Sequence, residues 1–131
     1  MREILFKAIR KDNGKWIEGF YLKNGKSFVY KPSKDLYLLV QKEVIPETLC
    51  QYTGLNDKNG KKIFEGDMVK VKVTQQEDMK IYGMGYKNGV IVYNENYANY
   101  YLKGNFMHFT DWAYNDEIEI IGNKHDKEES K

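Results

Sequence analysis

The run Gln51-Tyr52-Thr53-Gly54-Leu55-Asn56-Asp57-Lys58-Asn59-Gly60-Lys61-Lys62-Ile63-Phe64-Glu65-Gly66-Asp67-Met68-Val69-Lys70-Val71 decides how this chain folds. Asn59-Gly60 is a strong two-residue hairpin signal, because a type I′ turn needs positive φ at both central positions and Asn and Gly tolerate that best. Asp57 stands just ahead of it, where a carboxylate can accept backbone N–H groups and tighten the turn. Gly54 is a second expected positive-φ position. Beyond the hairpin, Glu65-Gly66-Asp67 leads into Met68, Val69, Lys70, Val71, Lys72 and Val73. The valines fall on one face and the lysines on the other, as a half-buried strand requires. Gly66 supplies a sharp bend, and Asp67 is expected to tie down the amides of the loop. Small SH3-like barrels often begin a strand in this way.

Outward from this stretch the same signals repeat. Toward the N-terminus, residues 3–9 and 15–22 read as two strands joined by Asp12-Asn13-Gly14, with Ile4, Phe6 and Ala8 on one face. Asn24-Gly25 turns Phe20–Lys23 into Ser27–Tyr30, and Leu36–Val44 reads as a further strand after the break at Lys31-Pro32-Ser33. Pro46-Glu47-Thr48-Leu49 suits a single helical turn with proline early in it. Toward the C-terminus, Gln75–Lys80 and Gly83-Met84-Gly85 read as a long polar loop. Lys87-Asn88-Gly89 reads as a turn into the β-branched run Val90–Tyr93. Tyr97–Leu102 and Asn105–Thr110 can pair across Lys103-Gly104, and Glu117–Gly122 closes the sheet with Ile118 and Ile120 inward. Residues 123–131 are charged and lack apolar anchors, so disorder is expected there.

The turn motif Tyr52-Thr53-Gly54-Leu55-x-Asp57-x-Asn59-Gly60-Lys61-x-Ile63-Phe64-Glu65-Gly66-Asp67 resembles the signature of the YopX-like protein family, carried by phages and prophages of Gram-positive bacteria. The likeness extends to Met1–Ala8 with Lys15-Trp16-Ile17, and to Glu119-Ile120-Ile121-Gly122-Asn123 near the end. It implies a phage or prophage origin and an unassigned biochemical role. It transfers no catalytic residues.

Composition sets further bounds. The chain has 131 residues, enough for one domain or two small lobes. Its aromatic content of 15% suits a β fold with cross-strand aromatic pairs. A mean hydropathy of -0.72 and the lack of a long apolar run argue against a transmembrane helix. With no apolar run at the N-terminus to make a secretion signal, a cytoplasmic location in the bacterial host is expected. Cys50 is the only cysteine, so no internal disulfide can form, and its apolar neighbour Leu49 suggests burial. The net charge of +2 names no partner by itself, but it is uneven. Residues 1–45 are basic and the last 21 are acidic, an arrangement that can be satisfied within one molecule, between copies, or in part by nucleic acid.

Three constellations carry chemistry worth weighing. Glu65 and Asp67 flank Gly66 and could act as acid and base or hold a hard cation, yet nothing converges on them in sequence, and turns recruit Asp for structure. His108 and Asp111 have the spacing of a hydrogen-bonded pair, but no nucleophile is marked out beside them, so a structural histidine among aromatics is the better reading. Tyr93, Tyr97, Tyr100 and Tyr101 form a candidate interaction surface, either for core and subunit contact or for stacking on bases. Glu95 and a single nearby lysine, Lys103, make the electrostatic half of a nucleic-acid site thin.

The reading that follows is a mainly β protein with at most short helical turns. Residues 1–49 form an N-terminal antiparallel meander, 50–122 a small, partly open SH3-like barrel, and 123–131 a charged tail. The residues Gly54, Asp57, Asn59, Gly60, Glu65, Gly66 and Asp67 are expected to be structural, with no catalytic, metal or cofactor site. A non-enzymatic binding module working as a homo-oligomer is expected, with nucleic-acid binding as the alternative.

Overall fold

The computed structural model describes residues 5–32, 39–73, 79–81, 83–96, 99–104, 107–109, 112 and 117–126. They are mainly β and form two antiparallel sheets. The chain divides into two compact units, one made of Met1–Gly54 with His125–Lys131 and the other of Leu55–Lys124.

In the first unit β1 (Phe6–Ile9), β2 (Trp16–Asn24), β3 (Lys26–Pro32) and β4 (Leu39–Glu43) follow one another as a meander. The strand β5 (Cys50–Asn56) lies beside β1 and is followed by β6 (Lys62–Phe64), so the order of this six-stranded sheet is β4-β3-β2-β1-β5-β6. Asp12-Asn13-Gly14 makes the first connection, with Gly14 at φ 70° and its N–H donated to the Arg10 carbonyl. Asn24-Gly25 makes the second, with Gly25 at φ 72°. Alternation sets the core: Ala8, Ile17, Val29 and Val44 are buried together, with Leu49 against them. Gly19 has a packing role, because a Cβ there would stand 2.0 Å from the Tyr30 carbonyl oxygen. Pro46–Thr48 is a single 3-10 turn with proline at its start. Buried Thr48 accepts from the Ile9 N–H at 2.8 Å and donates to the Ile45 carbonyl at 2.6 Å, which anchors this turn to β1.

The strand β5 runs past Gly54 into the second unit, where β6 (Lys62–Phe64) and β7 (Asp67–Val73) follow. Then come β8 (Gly85–Asn94), β9 (Asn99–Gly104), β10 (Met107–Phe109) and β11 (Glu119–Asn123). The sheet order is β10-β9-β8-β7-β11. A meander with β11 returned beside its first strand leaves the sheet open at β10 and β11. Val69 and Val71 join Ile63, Ile91, Leu102, Trp112 and Ile118 in one buried cluster, which puts Lys70 and Lys72 on the opposite face.

Local expectations are corrected at several places: Lys103 and Gly104 are strand positions of β9, paired with His108 and Met107, and Asn123 ends β11 instead of opening a disordered tail. The turn at Lys87-Asn88-Gly89 is interior strand: Asn88 pairs with Lys70 and Gly89 with Val69. Gly89 serves close packing, since a Cβ on it would meet Leu102 Cδ1 at 2.7 Å and the Lys103 carbonyl oxygen at 2.9 Å. The loop reading fails at residues 79–81, which are helical. Gly83 closes that turn, with φ 84° and an N–H donated to the Met79 carbonyl at 3.0 Å, a left-handed helix cap. The hairpin at Asn59-Gly60 is shifted by one residue. Gly60 N–H bonds the Asp57 carbonyl and Asp57 N–H bonds the Lys61 carbonyl, so Lys58-Asn59 form the corner and Gly60, at φ 80°, follows as the left-handed residue.

Candidate functional site

The residues of the central stretch are held by dense hydrogen bonding. Asp57 Oδ1 accepts from the Asn59 N–H and the Lys61 N–H, both at 2.9 Å. Its Oδ2 accepts from the Ile120 N–H at 3.1 Å, tying the turn to β11. Burial pushes the Asp57 carboxyl up, but the N–H groups of Ile120, Lys61 and Asn59 outweigh it and hold the group below its ordinary value. The bend at Gly66, φ 88°, donates to the Ile91 carbonyl and accepts from the Lys124 N–H. Asp67 is fully buried. Its Oδ2 accepts from the Phe64 N–H at 2.8 Å, and its Oδ1 accepts from the Asn123 amide at 2.9 Å. Glu65 is half-buried in the turn between β6 and β7. Both oxygens of Asp67 are thus turned onto the chain's own donors. Among the described residues no three His, Cys, Asp or Glu side chains converge as a metal site.

The tyrosines separate. The register pairs Tyr93 with Tyr100 and Val92 with Tyr101, so Tyr101 faces away from the other two. Tyr93 and Tyr100 meet edge to face with ring centroids 5.2 Å apart, and Tyr100 packs on the core while Trp112 donates its indole N–H to the Tyr100 carbonyl. Tyr97 lies outside the described residues. So does the His108–Asp111 pairing, for which only the β10 backbone at His108, opposite Lys103, is described. Cys50 is buried, with its Sγ 3.3 Å from the Thr48 carbonyl.

Charges of each unit meet partners of the same unit. Arg10 binds Asp12 through two contacts, 2.8 and 2.6 Å, and Lys11 meets Glu43 at 2.8 Å. The side-chain bonds from Arg10 and Lys11 lower the carboxyls of Asp12 and Glu43 respectively. In the second unit Lys58 meets Glu117 at 3.8 Å and Lys70 meets Glu119 at 3.4 Å. Trp16, under the Lys7 ammonium at 4.6 Å, donates its indole N–H to Asp126.

Residues 3–129 match the family model described as YopX protein. The chain belongs to the YopX protein family. No curated protein matches it. Among solved structures it is similar to the crystal structure of protein EF1440 from Enterococcus faecalis, at 19% identity and a TM-score of 0.56, covering 97% of this chain and 98% of that one. That likeness is one of fold. No helix among the described residues of this YopX-family chain is long and apolar enough to cross a membrane.

Two groups of residues stand out in the structure that sequence reading passes over. Phe20 and Leu22 are exposed in the first unit, and Tyr86 in the second. The signal for the first pair is present in Phe20-Tyr21-Leu22, three aromatic or aliphatic residues in a row inside β2. For Tyr86 no local signal exists, because its setting is made by lysines on the neighbouring strand.

Proposed function

We propose that this protein is a phage or prophage accessory protein that acts by binding, without catalysis, and works as a homo-oligomer. The observation that carries this reading is an apolar block on the outer face of the first unit's sheet. Phe20 and Leu22 are 58% and 51% exposed. The register sets them beside Tyr30 and Phe28, giving two adjacent cross-strand pairs on one face. The other face carries the buried Ile17 and Val29, and with Phe28 and Tyr30 half-buried it is Phe20 and Leu22 that stand surplus to the core of their own unit. Exposed apolar clusters of this kind mark contact surfaces.

A second copy is the occupant that charge favours. Glu18, which stands opposite Lys7 in the ladder, lies at one end of the block on β2 and Lys26 at the other end on β3, where its contact to Glu43 is a long 4.0 Å. A two-fold axis running across the strands reverses the ends and sets each Glu18 toward the partner's Lys26. The non-catalytic part of the reading is supported by Asp67, whose carboxylate is taken up by Phe64 and Asn123.

Size-exclusion chromatography with light scattering tests it. A particle of at least twice the 15.5 kDa chain mass is expected at micromolar concentration, and Phe20→Ser with Leu22→Ser should reduce it to a monomer of unchanged circular dichroism. A strictly monomeric wild-type chain would overturn the proposal.

A further inference from the structure

We infer that the outer face of the second unit's sheet binds single-stranded nucleic acid, with Tyr86 and Tyr101 stacking on bases and Lys70, Lys72 and Lys103 holding phosphates. This names a ligand for the binding module proposed above and is independent of its oligomeric state.

The face is created by strand alternation and register. With Val69, Val71, Ile91 and Leu102 committed to the core, the alternate residues of β7, β8 and β9 share the opposite surface. Along the middle strand β8 this surface presents Tyr86, Asn88, Val90 and Val92 in a row. On one flank Lys72 stands opposite Tyr86 and Lys70 opposite Asn88. On the other flank Lys103 stands opposite Val90 and Tyr101 opposite Val92. Lysines therefore line both sides of a track that carries an aromatic ring toward each end.

Tyr86 is the centre of the site. It is 54% exposed, with the Lys70 and Lys72 ammoniums over its ring, so a base stacks on it as those two side chains swing aside toward the phosphate. The Lys70 and Lys72 ammoniums lie 5.0 and 5.7 Å from the ring centroid. A base stacked on this ring would bring its own phosphate within reach of both cations, which is the pairing of aromatic plane and positive charge that single strands exploit. The acid on the described outer rows is Glu119, which meets Lys70 at 3.4 Å. The three lysines Lys70, Lys72 and Lys103 outnumber it on those rows.

The geometry selects single strands. Rings lying on a sheet can stack only on bases whose faces are uncovered, and in a duplex those faces are covered by neighbouring bases. Tyr86 to Val92 spans six residue steps, about 20 Å, a track for about four nucleotides, the low end of the range for small β domains. Polar Asn88 and the flanking cations interrupt the apolar surface made by Val90, Val92 and Met68, which stands opposite Val90 and is 40% exposed.

Fluorescence anisotropy on the full chain, with labelled short oligo-dT and oligo-U at two salt concentrations, tests the proposal. Binding to at least one of them is expected, and the DNA and RNA arms show which backbone is preferred. Tyr86→Ala should weaken binding about fivefold to a hundredfold, while Tyr86→Phe keeps it. Lys72→Gln with Lys103→Gln should flatten the dependence of log K on log salt by about 1.4. No binding at low salt, unchanged binding by Tyr86→Ala, or equal competition by duplex DNA or heparin would each overturn it. The variant Phe20→Ser with Leu22→Ser separates this result from the oligomer proposal, because single-strand binding should persist in it whatever its mass.

Discussion

Asn123 donates its side-chain amide to Asp67 Oδ1 across 2.9 Å, with both residues buried. The bond joins the last residue of β11 to the first of β7, directly opposite in the ladder. The other oxygen of Asp67 holds the Phe64 N–H, so one buried carboxylate fixes the bend at Gly66 and the closing strand together.

Asp67→Ala removes, in a buried site, the carboxylate that accepts from the Phe64 N–H and the Asn123 amide. Each unsatisfied group costs about 1–3 kcal/mol, so a loss of about 3–4 kcal/mol in chemical denaturation is expected. In a double-mutant cycle with Asn123→Ala the coupling should exceed about 0.5 kcal/mol. Strict additivity would show that the two side chains do not act as a unit.

Asp57 predicts an acid-side signature. Its carboxyl is held below the ordinary value by the backbone N–H groups that overcome its burial, so the unfolded chain takes up the proton first as pH falls. The stabilisation is complete above the unfolded value of about 3.9 and is lost as pH falls through the lower folded value. Asp57→Asn should therefore be less stable than wild type by about 2 kcal/mol at neutral pH. That gap should close in urea titrations carried below about pH 4. A gap independent of pH would mean that the charge on Asp57 contributes nothing.

Glycines with different duties should rank differently on replacement by alanine. At Gly19 the new Cβ would meet the Tyr30 carbonyl oxygen at 2.0 Å, and at Gly89 it would meet Leu102 and the Lys103 carbonyl. Overpacking of this kind costs about 1–3 kcal/mol, occasionally more, with Gly19→Ala the worse because its backbone contact, 2.0 Å, is far closer than the 2.9 Å at Gly89. Gly60 has open space around it but φ +80°, so Gly60→Ala should cost only about 1–2 kcal/mol. Thermal melts of the three variants check the order, and Gly60→Ala as the most damaging would contradict it.

Cys50 is buried and its Sγ faces the Thr48 carbonyl. A thiol so placed should react with a disulfide reagent only as fast as the first unit opens. Stopped-flow labelling should show a rate that rises steeply with sub-denaturing urea. Full reaction within the mixing time in native buffer would place the thiol at the surface.

The mainly β class, the hairpins at Asn13-Gly14 and Asn24-Gly25 and the valine–lysine stripe of β7 were legible in sequence, because each depends on the φ preference or face alternation of residues close together in the chain. The same logic failed at Asn88-Gly89, where the dipeptide has the composition of a turn but Leu102, thirteen residues on, presses on Gly89 and makes it a strand position. It failed by one residue at Asn59-Gly60, where the Asp57 carboxylate bonds the Asn59 and Lys61 amides and moves the corner to Lys58-Asn59. Asn123, read as the start of a charged tail, ends a strand because Asp67 receives its amide. The division of Tyr93 and Tyr100 from Tyr101, and the meeting of Tyr86 with Lys70 and Lys72, are products of register between strands. Local preference acts over a few bonds and can be read residue by residue. Which side chains become neighbours across a sheet depends on the free energy of the whole packed unit, and only the tertiary structure contains that.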